Sequence, residues 1–242
     1  MPALGAVSSL ATSCAVGVAS DLASTPDDRS RMLPVHPDIA GLFPSGGLRR
    51  GSTVAILGST SLLFALLARA TETGSWAAVV GLSDLGLKAA GELGVAVERL
   101  ALVRHPGTNL AAVVAALLDG MDMVAVDPAR LTDSQIRRLS ARARHRGAVL
   151  LPVGAWPGAD LELTLESATW AGLGDGHGHL ATREVRISAR GRGAAARPLE
   201  AWAHLPFVDG AAKDPLGALP APRGLTDFPY TPKLSHHSAQ LA

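Results

Sequence analysis

Gly58, Ser59, Thr60 and Ser61 follow an apolar run, in the stretch Leu57-Gly58-Ser59-Thr60-Ser61-Leu62-Leu63, and have the outline of a phosphate-binding loop. Such a loop follows the pattern GxxxxGK with a final Ser or Thr: backbone N–H groups wrap the phosphates, the lysine neutralises them and the hydroxyl holds magnesium. Here the second glycine and the lysine are missing. The chain contains only Lys88, Lys213 and Lys233, all remote in sequence, and Arg49 and Arg50 precede the strand and fall at its opposite end. A triphosphate set against Leu62, Leu63 and Phe64 with no cation would lose its hydration uncompensated. The expectation is therefore a vestigial loop that caps a helix and binds no nucleotide.

Asp127 ends the run Met123-Val124-Ala125-Val126-Asp127, the form of a strand that delivers a magnesium-binding carboxylate. The competing reading is a turn aspartate ahead of Pro128. Gly81-Leu82-Ser83-Asp84-Leu85 begins like a nucleophile elbow but lacks its second glycine, and no GxGxxG pattern occurs. Asp175-Gly176-His177-Gly178-His179 has metal-ligand residue types at close spacing, yet without an evident third ligand it reads as a hairpin tip. No catalytic, cofactor or metal site is expected.

Two basic stretches remain. Arg137, Arg138, Arg142, Arg144, His145 and Arg146 share one predicted helix, a candidate DNA or partner surface whose bland alternative is a solvated face with cations near the helix C-terminus. Arg186, Arg190 and Arg192 form a second, weaker patch.

The elements that would position these residues alternate strand and helix. Buried strands are predicted at Thr53 to Leu57, Ala77 to Leu82, Leu100 to Val103, Met123 to Val126 and Ala148 to Val153, with helices at Ser61 to Thr73, Leu87 to Leu93, Asn109 to Leu118 and Asp133 to Arg146. Continuous apolar strands imply a parallel sheet covered on both faces. Gly74 suits the end of the first long helix, Thr132 with Gln135 reads as a capping box, and Leu110, Val113, Val114 and Leu117 form an inward stripe. Pro37 can open a short helix that Pro44 stops. Beyond Pro157, Leu161 to Thr169, Arg183 to Ala189 and Leu199 to Leu205 alternate polar and apolar residues and predict antiparallel strands extending the sheet.

The stretch from Ala40-Gly41-Leu42-Phe43-Pro44 through Ser52-Thr53-Val54 resembles the lead-in to a RecA core, and Ala90-Gly91-Glu92-Leu93-Gly94-Val95 resembles the RecA segment after the second strand. With the degenerate loop and Gly74-Ser75-Trp76-Ala77-Ala78-Val79-Val80-Gly81, the chain resembles the ImuA group, in particular its actinobacterial ImuA-prime form, over about Leu33 to Leu205. That resemblance implies an α/β, RecA-like core with a mainly parallel sheet. It also implies an accessory role in damage-induced translesion DNA synthesis beside ImuB, an inactive Y-family polymerase homologue, and a DnaE-type polymerase. The connections after Asp127 and Val153 are short for recombinase DNA-binding loops, so strand exchange is not expected. Partners implied are the ImuB-type protein, a second copy and RecA. Rival readings are an atypical ATPase borrowing a neighbour's cation, and a regulator of RecA filaments or cell division.

The expected organisation is an N-terminal arm and linker over 1–32, a core over 33–208 and a Pro-rich tail over 209–242, where Phe228 and Tyr230 are candidate partner anchors. The arm segment Leu4 to Leu22 is apolar, but no Lys or Arg precedes Arg29, which argues against a secretory signal and for a contact with a neighbouring subunit. The chain is 48% hydrophobic and 18% charged, with net charge +1 from 22 basic and 21 acidic residues, so no global charge draws it to nucleic acid or membrane. The single cysteine, Cys14, excludes an intrachain disulfide, and a cytoplasmic location is expected.

Overall fold

Four short runs, β3 (Val54–Leu57), β4 (Ala77–Val80), β6 (Met123–Val126) and β7 (Val149–Pro152), are apolar throughout and almost wholly buried, because helices cover the sheet on both sides. The computed structural model of the chain describes residues 31–174, 177–192 and 196–207, with the side chains of residues 171–182 outside that description. All described residues lie in one compact unit that extends to Phe207. The tail expected over 209–242, its Phe228 and Tyr230, and the arm Leu4 to Leu22 lie outside the described residues. Met32, expected in the linker, instead forms β1 (Met32–Leu33), antiparallel to β2 (Leu48–Arg49).

The strand β5 (Leu100–Val103) is half-buried along its whole length because it forms one edge of the sheet. β5, β4, β6 and β7 are parallel neighbours in that order. Parallel bridges Thr53 to Leu150 and Ile56 to Val153 then join β7 to β3, so the sheet continues. On the far side of β3 come β8 (Leu161–Gly174), β9 (His177–Gly191) and β10 (Leu199–Leu205). β8 runs parallel to β3, and antiparallel pairing begins only with β9. The expectation that all of these C-terminal strands are antiparallel is thus corrected for β8. Its cause is the chain path, since the segment from Val153 to Asp160 crosses β3 and returns to the sheet's amino end, where Asp160 Oδ2 accepts the Thr53 N–H at 2.9 Å.

One face carries α1 (Pro37–Ala40), α2 (Thr60–Glu72) and α3 (Leu87–Glu92), and the other carries α4 (Leu110–Leu117) and α5 (Asp133–Arg146). Within β3 the alternation is strict: Val54 and Ile56 pack with α2, while Ala55 faces the opposite core with Trp156. α2 is apolar nearly all round and buried from Leu62 to Ala68, Ala70 and Thr71. Thr71 is tolerated there because its Oγ1 donates to the Leu67 carbonyl at 2.9 Å and accepts the Ala96 N–H at 3.1 Å. α5 opens with the expected capping box of Thr132 and Gln135 and closes at Gly147, which is left-handed at φ 71°.

Some boundaries differ from expectation. β4 stops at Val80 because Gly81, at φ 82°, turns the chain away. β8 and β9 are much longer than the alternation predicted, and the glycines at 172, 174 and 178 sit inside strands. Cross-strand hydrogen bonding supplies there the ladder that local propensity lacks.

Candidate functional site

The turn at which a phosphate loop was expected is two residues long. β3 ends at Leu57 and α2 begins at Thr60, so Gly58 and Ser59 alone make the connection. Gly58 takes φ 77°, a left-handed conformation that turns the chain with no Cβ penalty. Ser59 is extended, and its Oγ accepts the Leu62 N–H at 3.3 Å. That hydroxyl satisfies one of the helix's orphan donors from within the chain. Thr60 is exposed and Ser61 half-buried at the first turn of α2.

A cation does reach this turn, from a direction the sequence concealed. Arg183 on β9 donates from Nη1 to Ser61 Oγ at 3.4 Å, and its guanidinium lies 5.5 Å from the ring centroid of Trp170 on β8. The expectation of a turn remote from all positive charge is amended accordingly. Residues 61 and 183 stand 122 positions apart, so only the register Trp170 to Arg183 and the projection of both strands beyond β3 bring them together.

Asp127 lies at the carboxyl end of β6, and its Oδ1 accepts the Ala129 N–H at 2.9 Å, capping the 3-10 turn Pro128–Arg130. This is the behaviour of a turn aspartate. In the strand order β6, β7, β3 a whole strand separates it from Gly58. Asp84 is exposed and accepts the Ser83 hydroxyl at 3.2 Å, while Arg104 donates to the Ser83 carbonyl at 3.0 Å.

The arginines of α5 separate into distinct sets. Arg142 and Arg146 turn toward the end of α4, where Arg142 Nε and Arg146 Nε reach Asp119 Oδ1 at 2.9 and 3.0 Å. The Arg142 hydrogen bond, aided by the charge of Arg146, holds the Asp119 carboxyl below its ordinary range, and the same bond raises Arg142. Arg137, Arg138 and Arg144 are exposed. The Arg144 backbone packs against Gly51, at the sheet's amino end. At that end Arg50 Nη2 pairs with Asp122 Oδ1 at 2.7 Å, as the expected placement of Arg49 and Arg50 away from the loop requires.

In the second basic stretch, Arg186 lies 5.9 Å from the Trp202 ring centroid and 3.9 Å from Glu200 Oε2, while Arg190 and Arg192 sit in and just beyond β9. His177 and His179 fall in β9, next to the hairpin tip, with side chains outside the description. Among the described residues no cluster of His, Cys, Asp and Glu is arranged to hold a metal. A shallow cavity of about 280 Å³, which sequence reading missed, opens at the carboxyl end beside Thr108, Leu110, Arg130 and Gln135. Among the described residues no helix is long and apolar enough to cross a membrane.

Fold and site together define a mixed α/β protein: a parallel sheet flanked by helices, an antiparallel extension, and a self-capped turn after the first buried strand. Residues 41–158 match the family described as the MT3502 N-terminal domain. The chain is also similar to a protein of Mycobacterium tuberculosis (strain ATCC 25618 / H37Rv) described as "Uncharacterized protein Rv3395c", with 40% identity over 127 residues, half of this chain and 62% of that protein. The match therefore spans less than two thirds of that relative's length. The family match takes in β3 to β7 with both helical layers and stops in the crossover before β8.

Proposed function

We propose that this chain is a RecA-like accessory protein of a damage-induced translesion polymerase assembly, acting through contacts with an ImuB-type polymerase homologue and carrying out no nucleotide hydrolysis. One observation carries the non-catalytic half: β3 and α2 are joined by Gly58 and Ser59 alone, with the Ser59 hydroxyl already spent on Leu62. A connection of that length has no ring of free N–H groups to wrap a polyphosphate. Asp127, occupied as the cap of its own turn, points the same way. The RecA-like half draws support from the helix-flanked parallel sheet, with the altered loop after its first buried strand. The assembly half rests on the resemblance of the lead-in and the Gly74 to Gly81 stretch to the ImuA group.

Arg183 favours a second reading, an atypical nucleotide-binding RecA-like protein, because it supplies a cation at Ser61 from within the chain. Isothermal titration with ATP and magnesium separates the two. The accessory reading expects no heat of binding and no phosphate release, and co-precipitation with an ImuB-type protein. Saturable ATP binding that Arg183→Ala abolishes would establish the second reading. Co-precipitation with RecA alone would instead favour a regulator of RecA filaments.

A further inference from the structure

β8 outruns its neighbour. β3 pairs with it only from Leu161 to Thr164, and past that point β8 pairs with β9 alone among the described residues. From Glu166 to Trp170 five consecutive residues are exposed, a run that begins at the bulge between Leu165 and Ser167. Opposite this stretch β9 stays paired with β10 and keeps Val185 in the core, so what is bare is β8 itself: past the carboxyl end of β3 its side chains are exposed and its β3-side edge is open. An open edge presents a row of unpaired N–H and C=O groups, a template for another strand.

One charge marks that edge. Arg183 leans across Trp170, 5.5 Å from its ring, toward Ser61 at 3.4 Å, which carries the guanidinium to the β3 side of β8. It has no carboxylate partner among the described residues, and its Nε is buried without an acceptor. Trp170 beside it is 53% exposed. An unneutralised, half-buried guanidinium next to an exposed indole calls for an anionic group on whatever covers it. We propose that the edge of β8 from Leu165 to Trp170 receives an extended segment of a partner protein, added as a strand in line with β3, with an Asp or Glu against Arg183. Main-chain pairing supplies affinity in this mode, and the carboxylate and the Trp170 surface select the sequence. Single-stranded nucleic acid fits less well, since it needs several clustered cations and this edge offers one.

The inference deepens the accessory reading, on which it rests only for the expectation that the ligand is a protein. Its test pans random displayed peptides, about a dozen residues long to match an ordinary strand, on the full chain. Enriched peptides should be rich in β-branched residues and carry an Asp or Glu. Arg183→Glu should weaken them at least roughly tenfold, and replacing that acid by Lys in the peptide should restore binding to the variant. Of the two alternately N-methylated forms of an enriched peptide, one should lose binding and the other keep it, because only one edge of the added strand faces β8. Circular dichroism confirms the variant's fold, and should it not fold, the N-methylated pair decides alone. The proposal is overturned if nothing is enriched, if binding ignores both Arg183→Glu and N-methylation, or if oligothymidylate binds and Arg183→Glu abolishes it. It also falls if sedimentation shows a dimer that Arg183→Glu dissociates, since the edge would then be filled by a second copy. The two readings fail separately. Peptides that obey these rules while an ImuB-type protein is not bound sink the accessory reading and leave the edge standing. An ImuB-type protein bound while panning yields nothing does the reverse.

Discussion

Trp156 Nε1 donates to Ser140 Oγ at 2.9 Å, tying the crossover above β3 to the middle of α5. The indole is 1% exposed and shares the core between the sheet and α5 with Ala55 and Leu150. Its one polar atom is satisfied by that hydrogen bond. Trp156→Ala should therefore destabilise the fold by ~3–5 kcal/mol, read as a lower urea midpoint. Ser140→Ala should cost about 1 kcal/mol, because it removes only the hydrogen bond.

Ser59 caps the first turn of α2, and among the described residues nothing else offers the Leu62 N–H an acceptor. Ser59→Ala should lower stability by about 1 kcal/mol, and Ser59→Asp should preserve it by supplying another acceptor at a helix N-terminus. Chemical denaturation of the pair checks both. If the accessory reading holds, neither substitution changes co-precipitation with the ImuB-type partner.

Gly51 turns the chain ahead of β3 at φ 80°, and a Cβ there would lie 3.2 Å from both Cα and the carbonyl oxygen of Arg144. Strain and steric contact act together, with backbone on the opposing side that cannot swing away. Gly51→Ala is expected to destabilise by ~1–3 kcal/mol, measured as a drop in thermal midpoint, whereas Gly41→Ala, with open space around it and φ −63°, should be nearly silent.

Asp119 holds Arg142 and Arg146, and its carboxyl is depressed below the ordinary 3.8. A carboxyl depressed in the native state stabilises above its unfolded value and loses that contribution as pH falls through the lower native value. Stability should therefore decline from about pH 4 downward by an increment that Asp119→Asn removes, visible as a flatter acid limb in urea titrations at several pH values. Salt should narrow the difference, since the pair is exposed. The same substitution frees two cations on α5. If that face binds DNA, Asp119→Asn should elute later from heparin than wild type by more than its one added charge accounts for.

The central strands were legible because each is apolar on both faces, a pattern that survives without knowledge of its neighbours; Met123 to Val126 is an example. The capping box at Thr132 and Gln135 was legible for a related reason, being complete within four consecutive residues. The pairing of Arg142 and Arg146 with Asp119 was not legible, because Asp119 lies 23 and 27 positions away and approaches only when α4 and α5 pack. The length of β8 and β9 was hidden by their glycines, whose strand conformation comes from pairing.

What the amino-acid order determined alone was local: apolar runs that must be buried, caps whose partners lie within a turn, and a loop lacking the lysine and second glycine that polyphosphate requires. What only the tertiary structure decided was long-range. It settled that β8 runs parallel to β3, that Trp156 bonds Ser140 on α5, and that Arg183 stands at Ser61. The reason is geometric. Charge and hydrogen bonding act over a few ångströms of space, and sequence fixes such distances only within an element, so contacts between remote segments exist only once strand register and helix packing have set them.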